Sequence, residues 1–374
     1  MVTRKRIRTP DSLLARIGSL QQRLADDRAD ALLVTNPRDI RYLTGFVGDD
    51  SWAIILRKDP RAVVVSDFRF EEQIQREAPH VRAVIRKAGL IEELEKLVKK
   101  RRLRRIALQG EHVSVGLRKR LVKALGAKKL AATDDALIQQ RAMKDGDEVR
   151  RIRHALGIQQ RAFVDTLGFI RREVRTEAQV AAFLTYRMRS LGADKESFDA
   201  IVAVNANAAL PHAIPGPRKL TRGSLVLIDW GARWRGYCSD LTRTIALGSM
   251  PRKMREVYRI VLDAQLAAID AIAPGKGLQE IDAIARKIIK KAGYERQFGH
   301  GLGHGIGLDI HEQPVLSPRA DEDAVLQPGH VVTVEPGIYL PGVGGVRIED
   351  DVLVTPRGHE VLSDLPKSLE SAII

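Results

Sequence analysis

Four acids constrain this chain more than anything else in it. Asp229, Asp240, Glu335 and Glu349 each lie in a run that reads as a buried strand, such as Leu225-Val226-Leu227-Ile228-Asp229-Trp230 and Val331-Val332-Thr333-Val334-Glu335. An uncompensated carboxylate is costly to bury, so a fold that buries these runs must also balance the four charges. Between the two pairs lies a stretch, from His300 to Glu312, in which His300, His304 and His311 are separated by glycines. Histidine is the commonest transition-metal ligand and the usual proton carrier near neutral pH. Glycine lets the backbone pass close to a bulky or charged group.

The surrounding pattern occurs twice. Residues 149–172 and 177–191 read as amphipathic helices, the second capped by Thr176, and strands follow at 198–203, 225–231 and 237–244. Helices at 255–272 and 278–292 come next, then the histidine stretch, then strands at 331–339 and 345–351. Each half is thus two helices followed by paired strands, with two acids eleven residues apart in the first half and fourteen in the second. A strand pair joined by a turn brings such residues side by side. Asp229 is therefore expected to meet Asp240, and Glu335 to meet Glu349. Four converging carboxylates would repel and hold protons, whereas two divalent cations would neutralise them, with His304 adding one ring nitrogen. A mostly oxygen donor set with a single nitrogen favours Mn²⁺, Co²⁺ or Fe²⁺, with Zn²⁺ admissible, over a thiolate zinc site. Two such ions ionise a shared water and polarise a carbonyl, so metal-assisted hydrolysis is the expected chemistry.

The 374 residues suggest two domains, with a break at Asp145-Gly146-Asp147-Glu148. Before it, short apolar strands at 31–34, 52–56, 62–65, 81–85 and 106–108 alternate with helical segments, which predicts an α/β domain with helices flanking a sheet. This part holds most of the net charge of +15: residues 1–145 carry 32 Lys+Arg against 19 Asp+Glu, with a dense run from Lys99 to Arg105. A basic face attracts nucleic acid or an acidic membrane. No aromatic interleaving accompanies this one, so a solvated helix end is expected, without a nucleic-acid or membrane partner. No window approaches the roughly 18 apolar residues of a membrane span, and no apolar segment follows the basic start at 1–8, so no signal peptide is expected. The single cysteine, Cys238, excludes an internal disulfide and fits a reducing cytoplasm, and the acid near it argues against a nucleophilic role.

Several motifs in order carry a resemblance. Asp229-x-Gly231, Ser239-Asp240-x-Thr242-Arg243, His300-x-x-x-His304-Gly305-x-Gly307, His311-Glu312, Glu335-Pro336-Gly337 and Val346-Arg347-Ile348-Glu349-Asp350 resemble the creatinase/aminopeptidase P/prolidase family. The resemblance implies a creatinase-like α/β domain over 1–145 and an α+β pita-bread domain over 146–374, with a pseudo-twofold antiparallel sheet and flanking helices. It implies that Asp229 binds one metal, that Asp240 and Glu349 bridge both, and that His304 and Glu335 bind the second. Glu335 also matches the acid that shuttles the proton of the bridging water. His212 matches a substrate-side histidine, His300 and His311 two further active-site histidines, and Arg347 an arginine lining the substrate pocket.

The implied activity is hydrolysis of Xaa-Pro bonds, releasing the N-terminal residue of small proline-containing peptides, with manganese the first choice of metal and a homodimer the implied assembly. The alternative is an Xaa-Pro dipeptidase. A non-catalytic binding protein using the basic N-terminal domain is more remote, because such relatives lose ligands and all five candidates are present here. Two positions depart from the family pattern. Ala203-Val204-Asn205 replaces an Ala-Ser-Gly, where Asn tolerates positive φ well enough for the turn to survive, and Asp309 replaces a glutamate ahead of His311. Neither is a metal ligand; both bear on substrate preference.

Overall fold

The computed structural model describes residues 11–133 and 136–374, so the basic start at 1–8 lies outside the described residues. The chain divides into two compact units, Met1–Gln140 and Arg141–Ile374.

The first unit is built on a six-stranded sheet in the order Arg82–Ile85, Val63–Ser66, Trp52–Leu56, Ala31–Val34, Ile106–Gln109, Leu130–Thr133. Ile106–Gln109 runs parallel to both its neighbours, whereas Trp52–Leu56 is antiparallel to its own. Ala31-Leu32-Leu33-Val34 is buried at every position, the pattern of a strand covered on both faces. Helices Leu90–Arg101 and Val115–Leu125 bring Leu94, Val98 and Leu121 into this core. Among the elements that escape the sequence pattern are the strand Leu130–Thr133 and the helix Pro37–Thr44. Asn36-Pro37 reads as a strand terminator, but it also starts that helix. The Asn36 side chain accepts from Arg38 N, and Pro37 occupies the first turn, where its missing N–H is not needed.

In the second unit every pairing between named strands is antiparallel. Leu225–Trp230 lies between Ile201–Val204 and Leu241–Ala246 in one half, and Val331–Val334 lies between Gly303–Gly305 and Asp350–Thr355 in the other. Helices Gly146–Arg172 and Glu177–Ser190 precede the first half, and Arg252–Asp270 and Leu278–Lys291 precede the second. Val257, Val261, Ile281 and Ala285 from the latter pair share a core with Val332, Val334 and Val352. Among the described residues no helix is long and apolar enough to cross a membrane.

The strands expected at 331–339 and 345–351 are each interrupted at the acid. Val334 pairs with Asp350 in the five-stranded sheet, whereas Gly337–Leu340 pairs with Gly344–Arg347 in a separate two-stranded one. Glu335 and Glu349 occupy the gaps. The first half bends similarly: beyond Trp230, Ala232–Trp234 pairs with Tyr237–Cys238 in another sheet, and Asp240 immediately precedes Leu241–Ala246. Pro336 has no N–H to give a ladder. At Gly231 a Cβ would lie 2.2 Å from Ser239 O, so the backbones cross closer than any side chain allows.

Candidate active site

Asp229 stands near the end of its strand, opposite Thr242, and Asp240 stands at the start of the return strand. Together with Glu349 they present ligand atoms that all lie within 4.8 Å of one another, and all three residues are buried. Oδ1 of Asp229, Oδ1 of Asp240 and Oε1 of Glu349 are buried without a hydrogen-bond partner. Leaving three carboxylate oxygens bare is expensive unless something else satisfies them.

His304 reaches this cluster because of the glycines beside it. A Cβ at Gly303 would lie 1.9 Å from Thr333 O, so only glycine lets Gly303–Gly305 lie so close to Val331–Val334. His304 N donates to Thr333 Oγ1 at 3.0 Å, and the ring Nδ1 lies 3.0 Å from Gly305 O. A carbonyl oxygen only accepts, so Nδ1 carries the proton and Nε2 keeps its lone pair. That lone pair is on the nitrogen 3.4 Å from Glu335 Oε1 and 3.8 Å from Asp240 Oδ2. Helix Leu278–Lys291 anchors the stretch from behind: Asp282 accepts from Leu302 N at 3.0 Å, and Arg286 donates to Phe298 O and His300 O.

Burial, reinforced by Glu349, Asp229 and Glu335, holds the Asp240 carboxyl well above its ordinary range. Burial and the neighbouring acids do the same to Glu349, and burial also raises Glu335. The cation that faces them is Arg347, itself buried. Its Nη2 donates to Asp229 Oδ2 at 2.5 Å, its Nε to Thr242 Oγ1 at 3.0 Å and its Nη1 to the Tyr339 hydroxyl at 2.8 Å. One guanidinium cannot neutralise four acids. Bare carboxylate oxygens, one available ring nitrogen and surplus negative charge form a donor set that fits divalent cations.

Above this floor opens a cavity of about 670 Å³. All nine residues singled out in the sequence line it: Asp229, Asp240, His304, Glu335, Glu349, His212, His300, His311 and Arg347. The His311 ring lies edge-on to His304 with centroids 4.4 Å apart. Burial lowers His300, His304 and His311 below the usual histidine range. Three supporting residues were given no role in the sequence reading, although Thr242 stands in the Ser239-Asp240-x-Thr242-Arg243 motif. Thr242 donates to Glu349 Oε2 at 2.7 Å, and Thr333 donates to Glu335 Oε1 at 3.2 Å. Tyr339 bridges Arg347 and His300 Nε2, the latter at 3.0 Å. The hydroxyl of Thr333 inside an otherwise apolar Val-Val-Thr-Val run was the available signal; Tyr339 offered none.

Residues 150–356 match metallopeptidase family M24, and residues 16–143 match the creatinase/prolidase N-terminal domain. The chain belongs to metallopeptidase family M24, with a creatinase-type α/β domain ahead of a pita-bread domain. It is 36% identical to an uncharacterized peptidase of Bacillus subtilis, YqhT, over 91% of this chain and 95% of that one. Among solved structures it resembles an Xaa-Pro dipeptidase from Bacillus anthracis, with 38% identity and a TM-score of 0.91 over 97% of this chain and all of that one. It also resembles an X-Pro aminopeptidase from Thermotoga maritima, with 37% identity and a TM-score of 0.87 over 95% of this chain and all of that one.

Proposed function

We propose that this peptidase hydrolyses the bond preceding proline and releases the N-terminal residue of small proline-containing peptides. The observation that carries the reading is the convergence of Asp229, Asp240 and Glu349 on one point, with three oxygens bare and His304 Nε2 facing the same space. Two divalent ions, manganese the first choice, would be held there, with Asp229 on one, His304 and Glu335 on the other, and Asp240 and Glu349 shared. When bound, such ions polarise a carbonyl and lower the pKa of water. Asp240 belongs to both neighbourhoods in the geometry, which supports its shared position.

The remaining residues divide the work. Hydrolysis moves a proton from the attacking water to the proline nitrogen as the C–N bond breaks, and Glu335, on the cavity wall beside His304, is placed to carry it. His212 and His311 also line the cavity, where an imidazole N–H can donate to the oxygen that gains charge. His300 differs from them. Its Nδ1 is committed to Gly301 O at 2.7 Å and its Nε2 to the Tyr339 hydroxyl, so it acts by orienting Tyr339 and, through it, Arg347. Phe198, Ile201, Pro211 and Ala213 give the cavity an apolar side suited to a pyrrolidine ring.

The second reading, an Xaa-Pro dipeptidase, is favoured by the likeness to the Bacillus anthracis protein. Incubation with Mn²⁺ and matched Xaa-Pro dipeptides and Xaa-Pro-Yaa tripeptides separates them. Cleavage of tripeptides supports the aminopeptidase, and cleavage of dipeptides alone supports the dipeptidase. Turnover of neither, with any of the four candidate metals, defeats both. A reducing cytoplasm suits the lone buried Cys238, and the homodimer implied by the resemblance is read by sedimentation.

A further inference from the structure

The segment that follows strand Ile201–Val204 supplies five consecutive cavity residues, Pro211-His212-Ala213-Ile214-Pro215. Ala208 and Ala213 are buried against Ile201, Leu227 and Tyr339, but the larger apolar side chains are not: Leu210 is 57% exposed and Ile214 87%. Both ends of the loop also close on one carboxylate. Glu177 Oε1 accepts from Val204 N at 2.7 Å and from Asn207 Nδ2 at 2.9 Å, and Oε2 accepts from Gly216 N at 2.9 Å. Ala178 N adds a bond to Gly216 O at 3.1 Å.

Glu177 is fully buried, and its three acceptor contacts are to neutral groups. A buried carboxylate without a cation is costly. Two features offset the cost here. The donors are three in number, and Glu177 is the first residue of the 14-residue helix Glu177–Ser190, whose N-terminal dipole favours an anion. A carboxylate is also what the arrangement requires. Glutamine would turn an N–H toward one of the three donors and break that arm.

We infer that Glu177 is a positioning residue: its carboxylate ties Val204 to Gly216 and thereby sets the wall that carries His212 and Ile214. The inference rests on the peptidase reading for its effect on catalysis, but not for the anchoring itself. The test compares full-length wild type with the near-isosteric Glu177→Gln and with Glu177→Ala. It follows amide exchange at Val204 and Gly216, Mn²⁺ uptake, and kcat and KM on an Xaa-Pro peptide. Exchange should accelerate about tenfold or more at one or both amides in Glu177→Gln and at both in Glu177→Ala. Metal uptake should stay at the wild-type level, because none of the five proposed ligands is on the loop. The value of kcat/KM should fall about 10–100-fold in Glu177→Ala, shared between a higher KM and a lower kcat. Unchanged exchange, wild-type kcat and KM in Glu177→Ala, or metal uptake lost in parallel with activity would each overturn the assignment. If wild type cleaves no proline peptide while the variants lose protection with metal uptake intact, the anchor stands and the peptidase reading alone fails.

Discussion

The two halves of the second unit follow one plan and depart from it in an informative way. Both place an acid at the end of the central strand and another at the start of the return strand, where the hairpin leaves one sheet for another. The third strand differs. In the second half it is Gly303–Gly305, stripped of side chains on either side of His304, and it brings a nitrogen to the acids. In the first half it is Ile201–Val204, apolar and buried, and it leads into the loop held by Glu177. The shared plan makes a floor of four carboxylates. The departure gives that floor a direction, with a nitrogen donor on one side and a loop that lines the cavity on the other.

The largest effect tests the shared floor. Asp240→Ala and Glu349→Ala, one from each half, should each lower turnover about 10³-fold or more together with loss of bound metal, measured by elemental analysis after dialysis. Full metal occupancy in Asp240→Ala would break the equivalence of the halves. His212→Ala removes a side chain from the wall only. It should reduce kcat about 10²-fold with metal content preserved, and a parallel loss of metal would show that wall and floor are not separable.

A third prediction concerns the floor without cations. Asp240, Glu335 and Glu349 then titrate above their ordinary values of 3.8 for Asp and 4.5 for Glu, burial being the first cause. The folded form therefore binds protons more tightly than the unfolded chain, and these groups stabilise it most below those ordinary values. Their contribution is lost as pH rises through the raised ones. Melting of chelated protein should fall as pH rises above those ordinary values, and Mn²⁺ should restore it most at the upper end of the range. A melting temperature independent of both pH and metal would contradict this. The smallest effect belongs to Tyr339→Phe, which removes the bridge between Arg347 and His300 while keeping the ring. A loss of about 3–10-fold in kcat/KM is expected, with KM and kcat read separately.

Much of the site was legible before any coordinates. A carboxylate inside an apolar strand is an anomaly that can be seen residue by residue, and glycines flanking His304 announce a close approach. Asn205, expected to keep a turn in place of glycine, does adopt positive φ, at 52°, and its side chain accepts from Leu225 N at 2.8 Å. The bends at Gly231 and Pro336 were harder to read, because an apolar run looks the same whether it stays in one sheet or crosses to another. The helix after Asn36 was hidden because Asn-Pro both ends strands and starts helices.

The order of ionisable groups along the chain, the alternation of helices and strands, and the surplus of negative charge among apolar residues were determined by the sequence alone, because each depends on identity and spacing within a short window. Only the tertiary structure decided which oxygens are left bare, that His304 Nε2 faces Asp240 and Glu335 while His300 Nε2 meets the Tyr339 hydroxyl, and that Glu177 closes a loop from another element. Those are properties of distances between atoms tens or hundreds of residues apart, and the hydrogen bonds that settle them form only when the sheets and helices have packed.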